Sequence, residues 1–330
     1  MDGPGPTTVQ LGPGAEFDRI RRAIAMGGAL PTSVRVGPGD DAAVLEGGWV
    51  LSTDLSVEDV HFRRAWLSDR EIGYRAAATA LSDLAAMGAS PVGAFVSVAL
   101  PPDGSVNWDE LQAGVVEALA SVGAAVLGGD LAKSPGPLFV DVTVLGRTAW
   151  PVLRNGAEAG DEVWVTGCLG ASAAAVRAWT EGNEPSAAAR LAFARPIPRI
   201  AAACCLVEHK LVDALMDLSD GLAGDAAHMA AASEVKIVLQ AGAIPVAQAA
   251  VDLFGQSEAL QAALHGGEDY ELLFVSGPGR VDPAYFMKRF NLELTHVGRV
   301  ELGDGVWLEQ PSGSVERLER GGFDHFGDLA

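Results

Sequence analysis

The sequence has few lysines and few cysteines. Only Lys133, Lys210, Lys236 and Lys288 occur, and none follows a glycine as the lysine of a phosphate-binding P-loop would. Three cysteines, Cys168, Cys204 and Cys205, make neither a disulfide framework nor a CxxC metal site. Cys204 and Cys205 lie in the apolar run 200–207, where buried thiols are expected, and a reducing cytosol suits such a chain. Aromatic residues make up 6% of the chain, and the seven tryptophans are scattered, which points to core packing rather than a cofactor box. Basic residues are outnumbered: 23 Lys and Arg stand against 43 Asp and Glu, a net charge of -20. That balance argues against nucleic acid and anionic lipid as partners. The most apolar stretch, 76–100, contains Asp83 and Pro91 and does not read as a membrane span. If the ligand is a phosphate, metal ions held by carboxylates have to supply the positive charge.

At 330 residues the chain is long enough for two domains. Residues 1–14 are rich in glycine and proline and read as a flexible tail. Helical patterns cover 15–28, 68–88 and 106–122, with Ser68 and Glu71 spaced as a capping box. Strands are expected at 49–53, running into Asp54, and at 92–100 and 138–146. The Gly/Asn/Asp punctuation at 155–161 marks the boundary between an N-terminal domain, 15–154, and a C-terminal domain, 155–330. Helices and strands mix without βαβ regularity, so the expected class is α/β of the α+β kind, each domain a sheet covered by helices.

The acids are placed unevenly. Asp40 and Asp41 follow a glycine turn and precede an apolar segment. Ser52, Thr53 and Asp54 put three oxygen ligands at one strand tip. Asp83 stands inside an apolar helix, a costly place for a carboxylate without a partner. Gly128-Gly129-Asp130 ends another apolar strand, where glycines allow close approach to a ligand. Asp217 and Asp220 bracket Ser219 and would share a side if that turn becomes helical. Gly266-Gly267-Glu268-Asp269 enters a further strand. Each of these alone suits an Asp-rich turn or a capped helix. Together, with no His/Cys pattern beside them, they suit a hard cation such as Mg²⁺, held by few carboxylates plus substrate phosphates.

In order along the chain, GDDAAVL (39–45), STD (52–54), His61-Phe62, LSDLAAMGA (81–89), GGD (128–130), RPIPR (195–199), DLSDGL (217–222), GGEDYEL (266–272) and GGFDHF (321–326) resemble the thiamine-monophosphate kinase family. That family belongs to an ATP-using superfamily with aminoimidazole ribonucleotide synthetase, selenophosphate synthetase and a hydrogenase maturation protein. The resemblance covers about Phe17 to Phe326. It implies a homodimer in which N-terminal strands join a dimer-spanning barrel, with the active site in the cleft between the domains. It also implies transfer of a phosphoryl group from ATP to thiamine monophosphate, the last step to thiamine diphosphate. By motif, Asp41, Ser52, Thr53, Asp54, Asp83, Asp130, Asp217 and Asp220 match Mg²⁺ ligands. Gly129, Asp130, Arg154 and Ser219 match ATP contacts. His61, Glu268 and Phe323 match contacts to thiamine monophosphate.

The acceptor oxygen is already ionised at neutral pH, so no general base is expected and transfer should be direct, in line and assisted by several Mg²⁺ ions. Arg195 and Arg199 bracket prolines and read as structural salt-bridge partners. Residues 1–14 carry no Cys or Lys, unlike a selenophosphate synthetase loop, and the C-terminal FGDLA carries no cysteine, unlike the hydrogenase maturation protein. Aminoimidazole ribonucleotide synthetase remains a weaker option, disfavoured by GGEDYEL and by STD at 52–54, and the alternative from another class is a non-catalytic Mg²⁺-nucleotide sensor or scaffold. It would have less need of every carboxylate motif.

Overall fold

The computed structural model describes residues 7–12 and 14–318. The N-terminal half runs α1 (Ala15–Met26), β1 (Val34–Val36), β2 (Ala43–Leu45), β3 (Trp49–Val57), α2 (Asp69–Ala86), β4 (Ser90–Leu100), α3 (Trp108–Ser121), β5 (Ala125–Lys133) and β6 (Phe139–Arg147). The C-terminal half begins with β7 (Glu162–Thr166), α4 (Ala171–Thr180), α5 (Ala187–Ala194), α6 (Ile200–Glu208), β8 (Ala214–Asp217) and α7 (Leu222–Ser233). It continues with β9 (Lys236–Gln240), α8 (Gln248–Phe254), α9 (Gln256–His265), β10 (Leu272–Ser276), α10 (Pro283–Phe290), β11 (Leu294–Glu301), β12 (Gly305–Glu309) and β13 (Val315–Arg317).

Two sheets result, one from each half. The first has the order β1-β2-β3-β6-β4-β5 and the second β13-β12-β9-β11-β7-β10-β8. The expected mixed α/β class is therefore what the chain forms. Strands β3 and β6 pair over nine residues, Trp49 to Val57 against Arg147 to Phe139. The long pairing carries Asp54 into the body of β3 rather than leaving it at the strand tip.

Helix α2 is the axis of the molecule. The expected capping box starts it: Glu71 N donates to Ser68 Oγ at 3.4 Å, and Ser68 N donates to Glu71 Oε2 at 2.9 Å. Fourteen of its eighteen residues are buried, because it is covered on several sides. The core that includes Ala77, Leu81 and Leu84 also takes in Trp164, Phe193, Leu206 and Leu215 from the C-terminal half. A second core, with Val163, Met216, Ile237 and Leu273, lies within the C-terminal half around its sheet and α7.

The structure corrects the reading of the N-terminal tail for residues 7–12. Thr7 pairs in parallel with Val36, Gly37 N donates to Thr7 O at 2.9 Å, and Val9 is buried. Glycine at 39 makes room for this docking: a Cβ there would stand 2.2 Å from the Val9 carbonyl oxygen. Strand β5 passes through Gly128-Gly129-Asp130 without ending there, and it forms the sheet edge with all nine residues exposed. Among the described residues no helix is long and apolar enough to cross a membrane.

Helices α2 and α3 meet backbone to backbone. A Cβ at Gly73 would lie 1.9 Å from the Leu111 carbonyl oxygen, and one at Gly114 1.9 Å from that of Arg70. Gly114→Ala should force the helices apart and lower stability by about 1–3 kcal/mol in a denaturant titration. An unchanged midpoint would show that the crossing is not tight.

Candidate functional site

Carboxylate oxygens of Asp41, Asp83 and Asp217 lie within 4.8 Å of one another. Three separate elements deliver them: the loop before β2, helix α2 and the end of β8. Ser52 on β3 donates to Asp83 Oδ2 at 2.5 Å, and its Oγ lies 3.1 Å from the Asp41 carbonyl oxygen. Arg154 grips Asp41 with both arms, Nε to Oδ2 at 2.9 Å and a terminal nitrogen to Oδ1 at 2.7 Å, while its amide donates to Asp40 Oδ2 at 3.2 Å. Burial pushes the Asp217 carboxyl up to about 7, with the Asp41 charge adding to it. Burial and the same neighbour push Asp40 up to about 7. Burial, with Asp217 and Asp41 close by, holds Asp83 well above the usual carboxylate range. Crowded acids of this kind favour protonation or a cation.

Asp83 and Asp217 also line a cavity of about 570 Å³ between the two halves. Its walls include Asp54, His61, Phe62, Trp66 and Thr79 from the N-terminal half, and Phe193, Ser219, Asp220, Glu268 and Tyr270 from the C-terminal half. Burial raises the Asp54 carboxyl, with the nearby Thr79 hydroxyl opposing that shift; the same hydroxyl donates to Ala76 O at 3.1 Å. His61 Nδ1 accepts the Val57 amide at 3.0 Å, so the neutral ring carries its proton on Nε2.

The Gly266–Leu272 segment reaches the cavity by an unusual backbone. Glu268 and Tyr270 both sit at positive φ, 63° and 50°. Glu268 N donates to Ser219 O at 2.7 Å, and Tyr270 N to Leu218 O at 2.8 Å, tying this segment to the 217–220 turn. Gly267, at φ 62°, is required there because a Cβ would stand 2.5 Å from Ser219 O. The side chains then diverge. Glu268 pairs with Arg75 of α2. Asp269 accepts the Gly170 amide at 2.8 Å ahead of α4, and its carboxyl is pushed up to about 8 by burial. Glu271 takes the Thr166 hydroxyl at 2.5 Å and Arg199 Nε at 2.7 Å.

The chain matches the AIR synthase related protein family, its N-terminal domain over residues 39–148 and its C-terminal domain over 158–306. It is 35% identical to the thiamine-monophosphate kinase of Rhodopirellula baltica, over 87% of this chain and 90% of that one. It is 34% identical to the thiamine-monophosphate kinase of Aquifex aeolicus, over 87% and 92%.

The chain belongs to the thiamine-monophosphate kinase family.

A solved structure of AaThiL complexed with AMPPCP and TMP superposes with a TM-score of 0.80 at 31% identity, covering 94% of this chain and 96% of that one. Hydrogenase maturation protein HypE, at 19% identity and a TM-score of 0.69 over 86% of this chain and 94% of that one, shares the fold.

Against this family's motifs, the structure gathers Asp41, Ser52, Asp83, Asp217 and Arg154 at the carboxylate cluster. It places Asp54, His61, Ser219, Asp220 and Glu268 on the shared cavity. Asp217 and Asp220 do not share a helical face: β8 ends at Asp217, and α7 starts only at Leu222. Thr53 also lines the cavity, and its Oγ1 donates to Asp141 Oδ1 at 3.0 Å. Gly129 and Asp130 lie on exposed β5, with Asp130 Oδ1 accepting the Leu131 amide at 2.9 Å. Phe323 lies outside the described residues. Arg195 and Arg199 are spent on Glu117 and Glu271, the structural role expected of them.

The motif reading missed Arg75, Thr79, Phe193 and Tyr270. A signal was available, because Arg75, Thr79 and Asp83 recur every fourth residue in an alanine-rich helix and so share one face. The crowded carboxyls also generate a prediction. Calorimetry in buffers of different ionisation enthalpy should show Mg²⁺ binding with net proton release at about pH 6.5, fading toward about pH 9. The sign follows from the upward shifts at Asp83 and Asp217, whose protons a cation displaces. Binding without proton exchange at the lower pH would remove the cluster as the cation site.

Proposed function

We propose that the chain transfers the γ-phosphoryl group of ATP to thiamine monophosphate, giving thiamine diphosphate and ADP. The observation that carries this reading is the single cavity in which cluster acids Asp83 and Asp217 adjoin a wall of Phe62, Trp66, Phe193 and Tyr270 with the acid Glu268. A flat heteroaromatic phosphate ester needs both features. Family membership supports the same reaction.

The donor set suits Mg²⁺, since Asp41, Asp83 and Asp217 offer only carboxylate oxygen in buried, like-charged surroundings. When bound, Mg²⁺ supplies neutralising charge to the phosphates. Asp54 and Asp220 extend the acidic wall toward it. Ser52 fixes the Asp83 carboxylate, and Arg154 fixes Asp41, which keeps both from turning away. Arg154 and Ser219 are assigned to the nucleotide side, and His61, with its Nε2 proton, to the acceptor side. The acceptor oxygen needs no base to ionise it, so the residues contribute position and charge.

Cytoplasmic residence suits the three free cysteines. A homodimer is proposed through the exposed face of the first sheet. Its edge strand β5 has open backbone groups, and Phe95, Leu127 and Leu131 expose apolar surface that a second copy would cover. Leu131→Glu should shift the sedimenting species from dimer to monomer, and a parent that sediments as a monomer would overturn this assignment.

ADP release should require thiamine monophosphate and Mg²⁺, with thiamine itself inert. Equal turnover with thiamine would make the alcohol the acceptor and refute the reading. Asp83→Asn should lower turnover by about 10²-fold or more while the fold persists by circular dichroism. Incubation with γ-labelled ATP alone should leave no label on the protein, and a trapped phosphoprotein would refute direct transfer.

A further inference from the structure

Arg75 is a cation almost wholly enclosed in the middle of α2, with its side chain 4% exposed. The transfer chemistry described above gives it no task. Burying a guanidinium is costly unless every arm is matched. Here each match comes from the C-terminal half. One terminal nitrogen donates to the Phe193 carbonyl oxygen at 2.5 Å, and the other pairs with Glu268. The guanidinium carbon lies 4.0 Å from the Phe193 ring centroid and 5.6 Å from that of Tyr270. Phe193, Glu268 and Tyr270 all line the cavity.

We propose that Arg75 is a positioning residue for the phosphoryl acceptor, fixing the Glu268 carboxylate and the Phe193 and Tyr270 rings from across the interdomain cleft. The role rests on the acceptor reading above. Glu268 and Tyr270 hold positive φ, a conformation that side-chain-bearing residues keep only when their surroundings over-determine it. The Arg75 fork supplies part of that determination. It engages an acid and a carbonyl oxygen at once while lying over the Phe193 ring, a combination that the single point charge of a lysine ammonium does not reproduce. The pairing also fixes the Glu268 carboxyl beside the aromatic wall, where its oxygens can accept hydrogen bonds. That chemistry recognises a flat heteroaromatic ring bearing an amino group or a fixed positive charge.

Steady-state ADP release by Arg75→Met, Arg75→Lys, Glu268→Gln and the Arg75→Met/Glu268→Gln double variant tests the role. Arg75→Met should raise KM for thiamine monophosphate about tenfold or more. Its KM for ATP should hold, with kcat within about threefold of the parent. Arg75→Lys should recover part of the loss. The double variant should be no worse than the worse single one, because Arg75 acts through Glu268. KM values for both substrates rising together, or losses that multiply in the double variant, would overturn the role. If Arg75→Met does not fold, Arg75→Lys decides by the same split between the two KM values. A parent that fails to turn over thiamine monophosphate would remove the functional reading and this role with it. Normal parent turnover with unchanged acceptor KM in the variants would remove the role alone.

Discussion

Like charges held a few ångströms apart in a buried cleft repel one another, and the Asp41, Asp83 and Asp217 cluster lives under that constraint. The fold makes the crowding possible because a loop of the first sheet, helix α2 and a strand end of the second sheet converge on one place. Helix α2 is what holds them there. It is short of bulky side chains, so strands and helices from both halves pack closely around it, and three of its polar groups share one face. Arg75, Thr79 and Asp83 follow one another along that face, and their partners Glu268, Asp54 and Ser52 come from both halves. The helix therefore sets the relation of the aromatic cavity wall to the carboxylate cluster.

The scarcity of lysine takes on a specific meaning in this setting. Two arginines stand close to the chemistry, and both are committed to carboxylates, Arg154 to Asp41 and Arg75 to Glu268. Arg177, on the cavity rim, is paired with Glu181, while Arg63, which also lines the cavity, lies over the Trp66 ring at 4.6 Å. Most of the positive charge near the cleft is thus already matched within the protein. An arrangement of this kind favours a nucleotide that brings its own cations, and the raised carboxyls favour receiving them. The net charge of -20 does not express this by itself. The placement of a few aspartates does.

Much of the architecture was legible in local signals. The capping box at Ser68 and Glu71 and the alternation in β6 marked their elements because the governing interactions are short in sequence. The tertiary pairings were harder to read. Asp54 belongs to the middle of β3 because β6 pairs past it, and no local signal encodes that register. Residues 7–12 look like a tail by composition, yet they dock because Gly39 leaves space against Val9 and the Gly37 amide donates to Thr7 O. The acids of the cluster stood out as carboxylates in apolar or glycine-rich surroundings. Arg75 did not, because its partners Phe193 and Glu268 are 118 and 193 residues distant.

The segment from Gly266 to Leu272 ties one wall of the cavity to the 217–220 turn. Its side chains go to different tasks: Glu268 to Arg75, Asp269 to the Gly170 amide, and Glu271 to Thr166 and Arg199. Alternating positive φ at Glu268 and Tyr270 makes that divergence possible. The backbone is meanwhile bonded to Leu218 and Ser219, in the turn that begins at Asp217. A displacement of Glu268 would therefore be felt by a cluster carboxylate through two hydrogen bonds and a few peptide units. The cavity wall at Glu268 and the carboxylate cluster are thus joined by a short stretch of backbone. Close contact of this kind suits a reaction whose barrier lies in bringing two anionic groups into register.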